Sequence, residues 1–295
     1  MTNEEFLSEA LSSENCPHDF EHTYSCFCEY QKIVLDTLRE FARVCEHNGI
    51  HYQLAFGSLI GAVRDGGQIP WDYDVDVIVP FYEKASLLEA LNRELSEEYC
   101  YYSADVTKDN SPYFIRVVPK GYPHEMLHVD VFYLLGIPDE EPARSAYIKE
   151  ARSRYNARKY ITQDLKRNPH SLKSKVRRIA NKCYYFLKYG KNFASNLDQI
   201  FGQYDARNTK EAITVSVGIG KYIYPSRIFR ESIKYETREG TFNLPAGFED
   251  FLSYRYGDWK KYFPVEDRIA EVMKHCNHFR WYREHGMVPA DAPEI

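Results

Sequence analysis

Between residues 28 and 47 the apolar side chains Ile33, Val34, Leu38, Phe41, Ala42 and Cys45 return every three or four positions. That spacing predicts an amphipathic helix, with Asn48-Gly49 as its stop. The next six residues, HYQLAF, read as a short strand that runs straight into Gly57-Ser58. SLIGAV then predicts a short helix and RDGGQIP a loop. DYDVDVIVP alternates and predicts a strand closed by Pro80. Residues 81–98 have the pattern of an amphipathic helix, and YFIRVVP and MLHVDVFYLLG that of two further strands.

After Pro138 the pattern changes. Residues 141–212 are polar with helical spacing, and from about residue 222 short strand and turn signals (TFNLPAGF) lead into two more helices. The order predicts an α+β fold, a small mixed sheet flanked by helices with helical additions at the C-terminal end. It divides the chain into an N-terminal arm (1–27), a catalytic core (28–138) and a mostly helical region packed on that core (139–295). No repeat or low-complexity segment interrupts it.

Hydrophobic residues at 44% and charged residues at 27% place the whole chain in the globular class, so no long stretch is expected to be disordered. A net charge of −5 argues against a general nucleic-acid binder. The acidic start MTNEEFLSEALSSEN has no apolar signal-like core, and no apolar run reaches the length of about 18 residues needed to span a bilayer. Seven scattered cysteines fit reduced thiols, and the expectation is a cytoplasmic protein. Cys16, His18, His22, Cys26 and Cys28 are zinc-ligand types, but they contain no C-x2-C pair, and zinc is not expected there. One charge asymmetry stands out. Residues 165–197 contain no acid but carry Lys166, Arg167, Lys173, Lys175, Arg177, Arg178, Lys182, Lys188 and Lys191. Val176, Ile179, Ala180, Cys183, Phe186 and Leu187 follow helical spacing within it. The stretch is either a solvated helical face or a peripheral dock for an anionic surface at the inner membrane face, made of lipid head groups or a lipid-linked glycan.

The chemistry concentrates in GSLIGAVRDGGQIPWDYDVDVIVP. Residues two apart on a strand share a face, so Asp74 and Asp76 point the same way while Val75 and Val77 enter the opposite layer. Paired carboxylates repel unless a cation compensates. Hard oxygen ligands at this spacing suit Mg²⁺, which takes its remaining ligands from water and substrate phosphates. Asp130, between Val129 and Val131, adds a third acid if its strand neighbours the first. Asp74, Asp76 and Asp130 then hold two Mg²⁺ ions, with Mn²⁺ as a substitute, and clamp an in-line displacement; Asp130 is the acceptor for the incoming hydroxyl's proton. Gly57 lets backbone approach a phosphate, Ser58 opens a helix and offers its hydroxyl, and Arg64 and Arg116 are candidate phosphate partners. Trp71 and Tyr73 flank the pair, to stack on a base or wall the pocket, with packing under the loop as the other reading of Trp71; Asp72 orients the pair or caps a helix end, and His128, on the face of Asp130, is a substrate contact or a hydrogen-bonded core histidine. Tyr256, Asp258 and Trp259 are expected to stabilise the C-terminal helices. A calcium loop fails for want of the sixth-position Gly and the terminal Glu. A glycosyltransferase D-x-D leaves the Gly-Ser turn unexplained.

The same stretch resembles the signature of the LicD family, which contains bacterial phosphocholine transferases and has fukutin and fukutin-related protein as relatives. The similarity extends to LDTLREFARVCEHNGIHYQLAFG before it and to FNLPAGFEDFLSYRYGDWKKYFP near the C-terminus, about residues 30–265. The resemblance implies a polymerase-β-type nucleotidyltransferase core. It also implies transfer of a phospho-alcohol from a CDP-activated donor such as CDP-choline to a glycan hydroxyl, as in polysaccharide or teichoic acid decoration, with CMP leaving. Attachment of a nucleotide to a small molecule or protein is the alternative in the same fold. Asp74, Asp76 and Asp130 fall on the metal acids, and Gly57 and Ser58 on the donor-phosphate grip. Tyr73 departs from the pattern, since family members often carry another Asp there, which implies an altered donor fit.

Overall fold

The computed structural model describes residues 1–104, 113–162, 172–190, 197–216 and 218–294. Strands β1 (Gln53–Leu54), β2 (Val75–Pro80), β3 (Tyr99–Tyr102), β4 (Ile115–Pro119) and β5 (Val129–Gly136) pair in the order β1–β2–β5–β4–β3. β2 and β5 run parallel, and the other neighbours on this path are antiparallel. A parallel pair needs a long crossover. Helix α4 (Lys84–Glu94) and the β3–β4 pair supply it.

The alternation read from the sequence decides what each sheet face does. Val75, Val77, Val79, Val129 and Val131 are fully buried. Helix α2 (Phe20–His47) packs across β2, β5 and β4, and its Leu35 and Leu38 border one small cavity with Val75. The polar members of the alternation are left on the other face. Residues 1–27, expected as an arm, carry α1 (Asn3–Leu11) and the first turns of α2. α1 has a capping box between Thr2 and Glu5 and buries Phe6 against Phe20, Tyr24 and Trp71. The apolar stripe of α2 therefore begins eight residues before the expected start, in aromatic side chains.

The expected boundary near residue 138 is crossed by the sheet itself. β6 (Glu211–Val215) pairs antiparallel with the end of β5, and β7 (Tyr224–Pro225) pairs with β6. Helices α5 (Ala143–Thr162), α6 (Leu172–Tyr189) and α7 (Leu197–Phe201) intervene. Lys166, Arg167 and Lys191 of the basic stretch lie outside the described residues. A hairpin of β8 (Ser232–Thr237) and β9 (Gly240–Pro245) follows, then α8 (Phe248–Tyr256) and α9 (Val265–Glu284), which packs against α1 and α2. The result is a mixed sheet with many helices. Among the described residues no helix is long and apolar enough to cross a membrane.

Candidate active site

The register of the sheet builds the site. Asp76 lies directly opposite Asp130 across the parallel β2–β5 pair, and Asp130 opposite Arg116 across β5–β4. Side chains at one register position of neighbouring strands share a face, so Asp76, Asp130 and Arg116 form one row. Asp74, two residues before Asp76, lies on the same face.

Two seams fix this row against the Gly-Ser turn. The Asp76 amide donates to Ser58 Oγ at 2.8 Å, and the Ala55 amide donates to the Asp76 carbonyl at 2.9 Å. The hydroxyl oxygen of Ser58 is thus engaged by the backbone of the acid strand. The helix at this turn, α3 (Phe56–Ile60), starts from Phe56 at φ 49°, a left-handed conformation that costs a non-glycine residue about 1 kcal/mol or more. The Phe56 ring is held between Phe132 and Phe251. Gly57 lines the cleft, and a Cβ there would meet Asp72 Oδ2 at 2.9 Å. Gly57→Ala should displace the Asp72 carboxylate. In a catalytic cleft a shift of that order costs roughly 10–100-fold in turnover. Steady-state rates alongside an unchanged circular-dichroism spectrum test this.

Two buried glutamines and a hairpin tip hold the loop that delivers the acids. Gln31 Nε2 donates to the carbonyls of Asp72 (2.6 Å), Ile69 (3.1 Å) and Pro70 (3.4 Å). Gln68 Nε2 donates to the carbonyls of Asp72 and Asp74 at 3.1 and 3.0 Å. Glu239, at the β8–β9 tip, accepts from the Gln68 amide at 3.2 Å and lies so close that a Cβ on Gly67 would strike its carboxylate. Sequence reasoning passed over both glutamines. The signal for Gln31 was an amide on the apolar stripe of a long helix, where burial demands that every donor be matched.

Asp74 and Asp76 floor a cleft of about 750 Å³. Its far wall comes from residues 256–275: Tyr256, Asp258, Trp259, Lys261, Glu271 and His275. Tyr256, Asp258 and Trp259, expected as packing residues, thus border the cleft. Trp71 is buried against Phe6 and Tyr262, and Tyr73 against His275 and Phe279. Trp71 borders the cleft from this packed position. Arg64 reaches the cleft but is engaged: it donates to Asp65 Oδ2 at 2.8 and 3.1 Å and to the Trp259 carbonyl at 3.3 Å, below the Tyr262 ring. Arg116 is engaged by Asp130, with Nε to Oδ1 at 2.7 Å and Nη2 to Oδ2 at 3.4 Å. His128 Nε2 stands 3.6 Å from Asp130 Oδ1, and its buried Nδ1 has no hydrogen-bond partner among the described residues.

The electrostatics are those of a charge cluster awaiting compensation. Burial, and then repulsion from neighbouring carboxylates, hold Asp74 and Asp76 well above the usual carboxylate range. Asp72 is raised by burial. Burial pushes His128 down and His275 down to about 4, so neither imidazole supplies a positive charge at neutral pH. Among the described residues no ion pair reaches the Asp74 or Asp76 side chain, and no three His, Cys, Asp or Glu side chains already surround a single ion position. Asp130 is turned towards Arg116. The donor chemistry, carboxylate oxygens alone at a half-wet floor, fits a hard divalent cation.

Comparison with known proteins gives this cleft its context. Residues 49–173 match the domain described as LicD/FKTN/FKRP, nucleotidyltransferase domain. The chain is 28% identical over 255 residues to the lipopolysaccharide cholinephosphotransferase LicD of Haemophilus influenzae, covering 81% of this chain and 93% of that protein. It is 55% identical over 47 residues to human ribitol 5-phosphate transferase FKRP, covering 15% of this chain and 10% of that one. An 89-residue segment, 30% of this chain and 7% of the relative, is 32% identical to the yeast mannosyltransferase regulator 4. The protein is a LicD-like phosphotransferase. Its residues 49–173 carry the nucleotidyltransferase domain of the LicD family.

Proposed function

We propose that the chain transfers a phospho-alcohol, phosphocholine or a similar group, from a CDP-activated donor to a hydroxyl of a cell-surface glycan or its lipid-linked precursor, releasing CMP. The observation that carries this reading is the register match of Asp76 with Asp130 on parallel neighbours, beside Asp74 at the floor of the cleft. In this reading β2, β5 and the Gly-Ser turn are a polymerase-β-type nucleotidyltransferase core. Asp74 and Asp76 would hold Mg²⁺, two ions with Asp130 completing the set, and Mn²⁺ would substitute. The bound cation supplies neutralisation of the donor diphosphate.

The remaining work falls to the protein. The acceptor oxygen attacks the phosphorus that bears the alcohol, the bond from that phosphorus to the CMP oxygen breaks, and the hydroxyl proton passes to Asp130. Gly57 leaves room for the donor beside Asp72, and the wall from Tyr256 to Lys261 closes over it. Positioning and charge neutralisation carry most of such a rate. The seven free thiols agree with a cytoplasmic location.

The test is a panel of CDP-alcohols incubated with Mg²⁺ and glycan acceptors, with CMP release and product mass both recorded. One donor should release CMP with acceptor present, the acceptor should gain the phospho-alcohol mass, and EDTA should stop both. An acceptor carrying the nucleotide would assign the chain to nucleotidyl transfer instead. Turnover indifferent to EDTA would remove the cation from the mechanism.

A further inference from the structure

Helix α6 (Leu172–Tyr189) is attached by one side only. Tyr185 stacks on Tyr160 of α5 with ring centroids 5.8 Å apart. Tyr189 donates to Ser153 at 2.7 Å and lies under the Arg154 guanidinium. At 3.6 residues per turn, Val176, Ala180, Cys183 and Leu187 fall on the opposite side of the helix, with Ile179 and Phe186 to one flank and Tyr184 to the other. That side has no partner among the described residues. Leu187 is 85% exposed, Val176 59%, and Ile179, Tyr184 and Phe186 about half. Exposed apolar residues clustered on one face mark an interaction surface.

The charges around the face name its partner. Lys175 and Lys182 border it beside Ile179 and Phe186, Arg177 borders it beside Tyr184, and α6 contains no acid. Cations along both edges of an apolar stripe let their stems lie over lipid while their heads reach phosphate. A basic amphipathic helix of this make, too polar to span a bilayer, lies in the interface of an anionic membrane. A second copy of the chain fits poorly, because two such helices face to face would bring Lys175 and Lys182 of each against the cations of the other. We infer that α6 docks the protein on anionic phospholipid surfaces, with the side chains from Val176 to Leu187 inserted among the head groups.

Helix α5, against which α6 packs, buries Tyr147, Ile148, Ala151 and Tyr155. The docking itself does not depend on the transferase reading, and its test contains no turnover.

The full chain is sedimented with vesicles of mixed phosphatidylglycerol and phosphatidylcholine, and with pure phosphatidylcholine vesicles. Its solution mass is measured by light scattering. Binding to the anionic vesicles alone is expected, weakening with salt. Lys175→Gln with Lys182→Gln should weaken it about thirtyfold, the loss of two cations near an anionic surface. Ile179→Ser with Leu187→Ser should abolish it while leaving the melting temperature unchanged, since both side chains are exposed. No pelleting with anionic vesicles, or pelleting indifferent to both double variants, overturns the inference. A dimer that Ile179→Ser with Leu187→Ser converts to monomer assigns the face to a second copy and overturns it as well.

Discussion

Asp76→Asn should abolish transfer and leave a folded protein that is harder to unfold than the parent in the absence of divalent cation. The two halves have one cause. The Asp76 carboxylate is held well above its ordinary range by burial and by repulsion from Asp74 and Asp130. A carboxyl with a raised folded-state pKa contributes stability when protonated and loses it as pH rises through that value. At neutral pH its ionised form opposes folding. The neutral amide removes that opposition, so the melting temperature of the cation-free protein rises. The same carboxylate is the group a Mg²⁺ ion would use, and losing several kcal/mol of charge stabilisation in the transition state costs roughly a thousandfold or more in rate. Calorimetry in EDTA and in Mg²⁺ separates the effects. The parent gains stability from Mg²⁺ and the variant does not. Retained turnover in the variant, or equal Mg²⁺ stabilisation of both proteins, would falsify the assignment of Asp76 to the cation.

The local half of this site was legible in the sequence because it is built from patterns of short period. Alternation put Asp74 and Asp76 on one face and Val75 and Val77 on the other, and the same rule put Asp130 between buried valines. What alternation does not carry is register. Nothing in YFIRVVP or HVDVF says that Arg116 and Asp130 stand opposite each other, so Arg116 read equally well as a phosphate partner until the β4–β5 pairing placed it. The far wall was illegible for a related reason. Tyr256 to His275 lie 180 to 199 residues beyond Asp76 and are brought to it by the packing of α8 on α3 and of α9 on α1 and α2. Strand β6 was passed over at the end of a stretch of helical composition, because five residues held between β5 and the short β7 need little pattern of their own.

Arg116→Leu should lower stability by about 3–5 kcal/mol, the cost of leaving one partner of a buried ion pair uncompensated. Both members are largely buried, at 19% and 9% side-chain exposure. The orphan it leaves, Asp130, stands opposite Asp76 in the sheet. Like charges opposite one another on a sheet add to the penalty. Asp130→Asn in the same chain should therefore restore most of the loss, and the sum of the two single effects should exceed the double by a clear margin. The ion requirement distinguishes the two roles Arg116 can play. A residue that holds Asp130 also offsets the negative charge around Asp74 and Asp76, so its removal should lower the Mg²⁺ concentration needed for half-maximal stabilisation. A phosphate ligand would raise the donor KM and leave that concentration where it was. Denaturant unfolding with and without Mg²⁺, on the two single variants and the double, measures both quantities, and a donor KM effect without coupling to Asp130 would return Arg116 to the donor.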